Sequence, residues 1–324
     1  MTPLAHEKWF IDSEPYRASL GHAFKSPEVF GVIGAVVVTI GLWLLWRAVG
    51  RRDLPGPRKL GATDTGLTHF YAIVPLILGI HIGVPLIVLG FEGQLFTPNN
   101  LLEGPWRPLL GVAEIGIGLS FLYGGMARLA SVLLGIVWLI GIGLFGFEHM
   151  LENLHYLGFA AFFYLTGRGP YSIDRLLFPK LEPRANQARL AMSALRVGVG
   201  LGFVVVAFTE KLADPKLAMD FLQKYPLNFT PWFGMSMPDE IFITCAGAVE
   251  LIIGLTLTFG LFPRVIVLTA WIFINMTLTI FNWVELVGHL PLYGVMAVLL
   301  TWTPNEEDQR LWLRGVLESR AAKH

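Results

Sequence analysis

Long apolar runs follow one another along almost the whole chain. Nine of them are free or nearly free of charge, and each approaches the roughly 20 residues that a helix needs to cross a bilayer. They lie near 29–47, 68–91, 107–127, 129–147, 150–167, 189–209, 240–262, 265–284 and 286–304. This pattern predicts an all-α, multi-pass membrane protein with about nine transmembrane helices.

Composition agrees with this prediction and excludes several classes of function. Hydrophobic residues make up 54% of the chain and charged residues 15%, with a mean hydropathy of +0.59. The net charge is zero, so no basic surface indicates nucleic acid. The single cysteine, Cys245, excludes an internal disulfide and a thiolate metal cage. The glycine pairs lack the strand-turn-helix context of a nucleotide-binding loop, so no nucleotide cofactor is expected.

The positions of lysine and arginine predict the orientation. Most of them fall on one side of the membrane if the N-terminus lies outside and the C-terminus in the cytoplasm. Acidic residues stand where a cleavable signal would be basic, so we interpret the first 28 residues as an interfacial arm. The expected location is the plasma membrane, which in a bacterium is the inner membrane.

An internal repeat divides the chain. A shift of 136 residues aligns Glu114 with Glu250 and Arg128 with Arg264, together with several glycines. Before that region His81-Ile-Gly-Val aligns with Arg196-Val-Gly-Val at a shift of 115. Four helices per repeat predict two parallel bundles related by an axis along the membrane normal. The predicted parts are an N-terminal arm and extra helix (1–60), a first unit (61–178), a linker (179–189), a second unit (190–304) and a cytoplasmic tail (305–324).

These repeats resemble a known family. The stretch Arg196-Val-Gly-Val-Gly-Leu-Gly-Phe, which leads to Thr209-Glu210-Lys211-Leu212, resembles the opening helix of the DoxX family. Gly247-Ala-Val-Glu250-Leu-Ile-Ile-Gly254, which leads to Gly260-Leu-Phe-Pro-Arg264, resembles its second helix, and Gly167-Arg-Gly-Pro-Tyr-Ser-Ile-Asp174 its C-terminal end. The likeness covers about 68–178 and 190–303. This chain departs from the family in being duplicated, in its extra helix, and in having His81 where the second unit has Arg196.

The resemblance implies four-helix membrane units and quinone-linked redox work. DoxX-like proteins are small four-helix membrane proteins, and the related DoxD is a membrane subunit of a thiosulfate:quinone oxidoreductase. If this chain is an enzyme, the resemblance implies a quinone-linked membrane oxidoreductase, and a metal-dependent oxidoreductase is the alternative.

Ionisable residues inside the apolar runs are the candidate functional residues. A charge in hydrocarbon costs a few kcal/mol or more, so residues that carry one there usually pair with each other or serve a function. His81, Glu114 and His155 lie at a similar predicted depth on three helices of the first unit, and are the candidate catalytic residues. With His149 and Glu152 they form a candidate binding site for a quinone or a transition metal such as iron or copper. There are three alternatives. Glu114 is a structural carboxyl group, His81 and His155 make hydrogen bonds within or between helices, and Glu152 and His149 lie in the headgroup region.

The second unit has a different polarity. Arg196 and Glu250 are predicted to form a structural ion pair, and Asn282, Glu285 and His289 to form a polar cluster. One histidine near its outer end makes a metal site there a poor prediction.

Three functional hypotheses follow. In the first, a redox subunit links an outer-side electron donor to the quinone pool through the first unit. In the second, the chain is a non-catalytic scaffold of a larger membrane complex. In the third, it is a transporter. The expected partners are the lipid bilayer and another membrane or outer-side redox protein.

Overall fold

The computed structural model describes residues 7–11, 27–50, 53–178, 187–213, 215–261, 263–278, 281, 283–302 and 305–321. Within these ranges the chain is helical, and the only β pairing is one isolated bridge between Gln94 and Leu101. The helices are α1 (Pro27–Ala48), α2 (Asp64–Glu92), α3 (Trp106–Tyr123), α4 (Ala127–Phe145), α5 (Phe147–Glu152), α6 (Leu154–Thr166), α7 (Ile173–Leu177), α8 (Ala188–Val206), α9 (Pro215–Lys224), α10 (Asp239–Phe259), α11 (Pro263–Leu278), α12 (Trp283–Thr301) and α13 (Glu306–Ala321). A π-helical turn, Ala207–Leu212, extends α8, and a short 3₁₀ turn covers Glu7–Trp9.

The all-α, multi-pass membrane prediction is confirmed, although the number of spanning helices differs. In the described ranges six helices are long and apolar enough to cross a bilayer, against the nine expected: α1, α2, α4, α8 with its π turn, α10 and α12. The other three expected spans correspond to the 18-residue α3, the 16-residue α11, and α5 with α6. The span predicted near 150–167 is divided into α5 and α6 because the helix is interrupted at Asn153.

The eight core helices form two interlocked four-helix groups. The first contains α2, α3, α4 and α5 with α6, and the second contains α8, α10, α11 and α12. Between the groups, α6 packs against α8, and α2 packs against α12. The first helix of each group therefore contacts the fourth helix of the other, as a two-fold relation between parallel repeats requires.

Small residues bring these helices close together. A Cβ atom built on Gly118 would lie 2.7 Å from the carbonyl oxygen of Gly83, and one built on Gly254 would lie 2.7 Å from that of Gly200. Membrane helices pack by van der Waals contact, so such glycines set the closest approach of the backbones. They hold the first two helices of each unit together.

Contacts between the units correct the alignment of their first helices. Gly198 of α8 crosses α6 at Gly158, and the residue that crosses α12 at Gly294 is His81. His81 is thus equivalent to Gly198, at a shift of 117 residues rather than 115. The glycine pair of the preceding paragraph agrees, because Gly83 and Gly200 are also separated by 117. His81 does not stand where the second unit has Arg196; Gly79 does.

An arginine covers the carbonyl end of the second helix in each unit. Arg168 donates from Nε to the oxygen of Phe121 (2.5 Å) and from Nη2 to that of Leu122 (2.9 Å). Arg196 donates from Nη1 to the oxygens of Leu257 and Thr258, which the shift of 136 makes equivalent. The last carbonyls of a helix have no intrahelical partner and carry the negative end of its dipole. In both units an arginine donates hydrogen bonds to the last carbonyls of the second helix, but the two arginines come from different positions in the repeat.

An aspartate caps the third helix of each unit in the same way. The carboxylate of Asp174 accepts from the amides of Met126 and Ala127 at the start of α4 (2.6 and 2.9 Å). The carboxylate of Asp53 accepts from those of Arg264 and Val265 at the start of α11 (3.1 and 3.3 Å). The segment before the first unit therefore completes the second unit.

The predicted cytoplasmic tail is a docked helix where it is described. α13 packs against α2, and Trp312 is buried beside Tyr71 and Trp302. The Tyr71 hydroxyl donates to Asp308 (2.8 Å). We call this end of the bundle the inner end and the opposite end the outer end, after the orientation that the basic residues predict.

Candidate functional site

The structure does not gather His81, Glu114 and His155 at one point. His81 is half-buried, with Nδ1 2.7 Å from the carbonyl oxygen of Ile77, and its side chain packs on Gly294. Gly118 lies opposite Gly83; His81 is two residues on the inner side of this crossing and Glu114 four residues on its outer side. At 1.5 Å per helical residue, Glu114 is therefore about 9 Å nearer the outer end than His81. Within the described ranges no group of three His, Cys, Asp or Glu side chains is placed to hold a metal ion.

Glu114 organises the outer loop between α2 and α3. Its side chain is fully buried, and Oε1 accepts from the backbone amide of Phe96 (2.9 Å). The Tyr156 hydroxyl donates to the carbonyl oxygen of the same Phe96 (2.9 Å), and the two rings lie 4.6 Å apart. Both contacts fasten a loop to the bundle, which agrees with the structural alternative for Glu114.

The break at Asn153 separates Glu148, His149 and Glu152 from His155. Glu152 ends α5 and is buried, whereas His155 lies in the first turn of α6 with its ring 4.4 Å from that of Tyr156. His149 and Glu148 are half-exposed on α5. Of this group, Glu152 and His155 face the same cleft.

The predicted pair of Arg196 and Glu250 is wrong. Arg196 binds carbonyls at the inner end of α10, whereas Glu250 lies about two turns away, beside Lys211 (Nζ to Oε1 3.1 Å). The physical reason is that the inner carbonyls of α10 attract Arg196, while the π turn carries Lys211 against α10 near Glu250. π turns inside helices are frequent at functional sites.

Buried charges meet at the outer end, where the N-terminal arm enters the second unit. Lys211 lies 3.3 Å from Oε1 of Glu7 as well as beside Glu250. The amide of Glu7 donates to Glu210 (2.8 Å). Lys8 forms an ion pair with Glu152 of the first unit. We call this set the outer ionic cluster; it consists of Glu7, Lys8, Glu152, Glu210, Lys211 and Glu250, all less than 10% exposed.

The cluster joins four separate parts of the chain. Its members come from the arm, from the end of α5, from the π turn and from α10, and they interact electrostatically across those elements. Four carboxyl groups face two ammonium groups. Buried charges are stable only when they are paired or neutralised, so the carboxyl groups of the cluster depend on the two ammonium groups.

Glu7 lies outside the membrane-spanning helices, and the pKa of its carboxyl group reflects its burial among these charges. Burial raises the pKa of its carboxyl group to about 8, with Glu210 adding to the rise, while Lys211 and Lys8 oppose it. Burial alone would lower the pKa of Lys8, but Glu152, Glu210 and Glu7 together raise it. The arm therefore contributes a charged ammonium group and a carboxyl group that titrates near neutral pH.

The second-unit polar cluster lies beside the arm. Glu285 and His289 are buried on α12, with 3.2 Å between a carboxylate oxygen and Nδ1. The ring of Trp9 is 5.1 Å from that of His289 and lies over Gly288. Asn282, the third predicted member, lies outside the described residues.

A cleft opens between the two units next to the outer ionic cluster. It is a narrow cleft with a cavity volume of about 30 Å³, and it is partly open to the outside. Trp9, Phe96 and Phe203 supply aromatic walls, and Glu152, His155 and Glu250 supply ionisable groups. Oε1 of Glu250 is paired with Lys211 (3.1 Å), and Oε2 has no hydrogen-bond partner among the described residues. The cleft thus offers aromatic walls beside a carboxyl oxygen that can accept a hydrogen bond.

Sequence reasoning missed four members of this site: Glu7, Lys8, Glu210 and Lys211. Adjacent Glu210 and Lys211 at the end of an apolar run are a usable signal, because ionisable residues at membrane depth usually face the bundle interior. Glu7 and Lys8 carry no such signal, since the arm is polar and reaches α5 only through the fold.

Comparison with known proteins yields no match: no family model matches the chain, and neither a curated protein nor a solved structure does.

Proposed function

We propose that this chain binds a quinone in the outer cleft and passes protons to it, as the membrane subunit of a redox system that links an outer-side electron donor to the quinone pool. The observation that carries the proposal is Glu250, a buried carboxyl group that lines an aromatic cleft; its Oε1 is paired with Lys211, and its Oε2 has no hydrogen-bond partner among the described residues. The resemblance of both units to DoxX-like proteins supports the same class of activity. We place the protein in the plasma membrane, with the cleft facing outward.

The chemistry of the lining suits a quinone. A quinone ring is flat and apolar and carries two carbonyl oxygens, which match aromatic walls and nearby proton donors. Reduction takes two electrons and two protons, and converts each carbonyl oxygen to a hydroxyl group. The electrons come from the outer-side donor; the protons pass through groups of the outer ionic cluster. His155 and Glu250 are the residues best placed to exchange a proton with the ligand, since both line the cleft.

The arm closes one side of this slot. Trp9 supplies a wall of the cleft, and Lys8 holds the Glu152 carboxylate as an ion pair. Exclusion of water around buried carboxyl groups strengthens each electrostatic interaction within the cluster. The arm therefore forms part of the proposed binding site, through the wall supplied by Trp9 and the ion pair made by Lys8.

The test is binding of a short-chain quinone to purified full-length protein in detergent, measured by equilibrium dialysis. We expect saturable binding that Glu250→Gln and His155→Ala each weaken about tenfold or more, because a hydrogen bond to a charged group contributes about 1.5–3 kcal/mol. Glu240→Gln is the matched control, because Glu240 is an exposed carboxylate on the same helix.

Three results would oppose the proposal. The first is the absence of saturable binding; the second is equal binding by the Glu250→Gln variant. The third is accumulation of a solute in proteoliposomes without any quinone dependence, which would favour the transporter. Co-purification of a stoichiometric partner whose activity survives both substitutions would favour the scaffold.

A further inference from the structure

The outer loop of the second unit exposes a run of apolar side chains just before α10. Residues 231–236 are all exposed, and we call them the outer turn. Trp232, Phe233 and Met235 are 70%, 71% and 51% exposed. From 225 to 238 the sequence has no Asp, Glu, Lys, Arg or His. The corresponding loop of the first unit, 93–105, is half as long, so this uncharged segment is an addition of the second unit.

The carboxamide of Asn228 holds the outer turn in place from both sides. Its Nδ2 donates to the carbonyl oxygen of Met237 (2.8 Å) and to Oδ1 of Asp239 (2.7 Å), which follow the turn. Its Oδ1 accepts from the amide and the hydroxyl group of Thr230 (3.2 and 2.6 Å), which precedes the turn. Because both ends are fastened, the exposure of the side chains between them is a fixed property of the fold.

Contacts with α10 determine the depth at which the outer turn lies. The ring of Phe229 is 5.4 Å from that of Phe242, in the first turn of α10, and 6.1 Å from that of Phe233. At 1.5 Å per residue α10 is about 32 Å long, which matches a hydrocarbon core of roughly 30 Å. The first turn of α10 therefore lies at the edge of the hydrocarbon, and the outer turn lies beside it in the headgroup region, which is about 5–8 Å thick.

Large aromatic side chains are exposed at the outer ends of other helices as well. They are Phe91 at the end of α2, Trp106 at the start of α3, Phe147 at the start of α5 and Trp283 at the start of α12. Aromatic residues, tryptophan in particular, are enriched where a membrane protein meets the headgroups. The outer turn extends this ring, and its lack of charge differs from the polar rim of an interface between proteins. Both observations favour lipid as the partner of the outer turn.

We propose that the outer turn is a membrane anchor, which inserts Trp232, Phe233 and Met235 into the headgroup region of the leaflet at the outer end. It binds lipid by apolar contact and does not select for headgroup charge. The ring of Phe221 on α9 lies 6.5 Å from that of Phe10, so the anchored loop also keeps the N-terminal arm close to the membrane surface. A water-soluble partner of the outer face then binds elsewhere on that face.

The experiment uses full-length protein in phosphatidylcholine nanodiscs. In a Cys245→Ser background, Phe233→Cys is labelled with a polarity-sensitive fluorophore, which is quenched either by iodide in the water or by a nitroxide carried on the lipid headgroup. We expect blue-shifted emission that the nitroxide quenches and iodide does not, because the label lies among the headgroups. Glu103→Cys, at an exposed position in the outer loop of the first unit, is the matched control and should be quenched by iodide. Trp232→Cys repeats the measurement while keeping the contact between Phe229 and Phe233.

A second measurement replaces phosphatidylcholine by phosphatidylglycerol and compares low with high salt. We expect the same nitroxide quenching at Phe233→Cys in each case, because the segment from 225 to 238 carries no charged side chain. Quenching that depends strongly on lipid charge or on salt would overturn the proposal. It is also overturned if iodide quenches the labels at Phe233→Cys and Trp232→Cys as strongly as the label at Glu103→Cys, the result expected if the outer turn is instead a docking site for a water-soluble protein.

Discussion

Removal of the Lys211 ammonium group is the most direct test of the outer ionic cluster. Its Nζ lies 3.1 Å from Glu250 and 3.3 Å from Glu7, and the side chain is 2% exposed. In Lys211→Met these carboxyl groups lose their shared cation while remaining out of water. Breaking a buried pair by removing one partner costs about 3–5 kcal/mol, and burial leaves little solvent screening to reduce this figure.

The assay is heat-induced unfolding in detergent micelles, followed by intrinsic fluorescence. We expect Lys211→Met to lower the melting temperature by about 6–20 °C, since each kcal/mol shifts a protein of moderate size by about 2–4 °C. The double variant Lys211→Met with Glu250→Gln should recover part of this loss, because it also removes one of the carboxyl groups. Lys59→Met, at an exposed position, is the control.

Two outcomes would refute this reasoning. If Lys211→Met melts no lower than Lys59→Met, the ammonium group does not hold the cluster together. If the double variant is less stable than Lys211→Met by a full additive amount, the two residues do not interact.

Three further predictions concern the packing, the arm and a cap. Gly118→Val should destabilise the protein by about 1–3 kcal/mol in the same assay, because its Cβ would meet a carbonyl oxygen at 2.7 Å, whereas Gly116→Val on the same helix meets nothing within 4 Å and should be tolerated. Burial raises the pKa of the Glu7 carboxyl group in the folded state from 4.5 to about 8, so its contribution to arm docking is complete below pH 4.5 and is lost as the pH rises through 8. The melting temperature of the wild type should therefore fall between pH 6 and pH 9, and in Glu7→Gln this fall should be smaller by several degrees. An equal fall in both proteins would contradict the prediction. Asp53→Ala should cost about 1 kcal/mol on thermal unfolding, the usual effect of a lost cap, and a neutral result would show that α11 does not need it.

The helices and the fold class were predictable from the sequence because the bilayer imposes them. Backbone groups in hydrocarbon must be satisfied within the segment, so a long uncharged run has few alternatives to a helix. The breaks were harder to predict. The interruption at Asn153 lies inside a predicted span and the π turn that carries Lys211 lies at the end of one, and no proline marks either position.

The repeat was visible in the sequence, but its register in the first helix was not. A short match of glycine and valine aligned His81 with Arg196, whereas the crossings at Gly158 and Gly294 align His81 with Gly198. Glycines are common throughout these helices, so a four-residue match cannot choose between two offsets that differ by two. Contacts between the units make that choice.

Within the candidate site, the sequence alone placed Glu114, Glu250 and His289 inside apolar runs, and all three are buried, but it missed the buried Glu210 and Lys211. Only the tertiary structure decided their partners. Glu250 meets Lys211 instead of Arg196, and Glu152 meets Lys8 from an arm more than 140 residues away. The physical reason is that hydrophobicity acts on each residue separately, whereas an ion pair depends on the depth and rotation of two helices, which packing between distant parts of the chain sets.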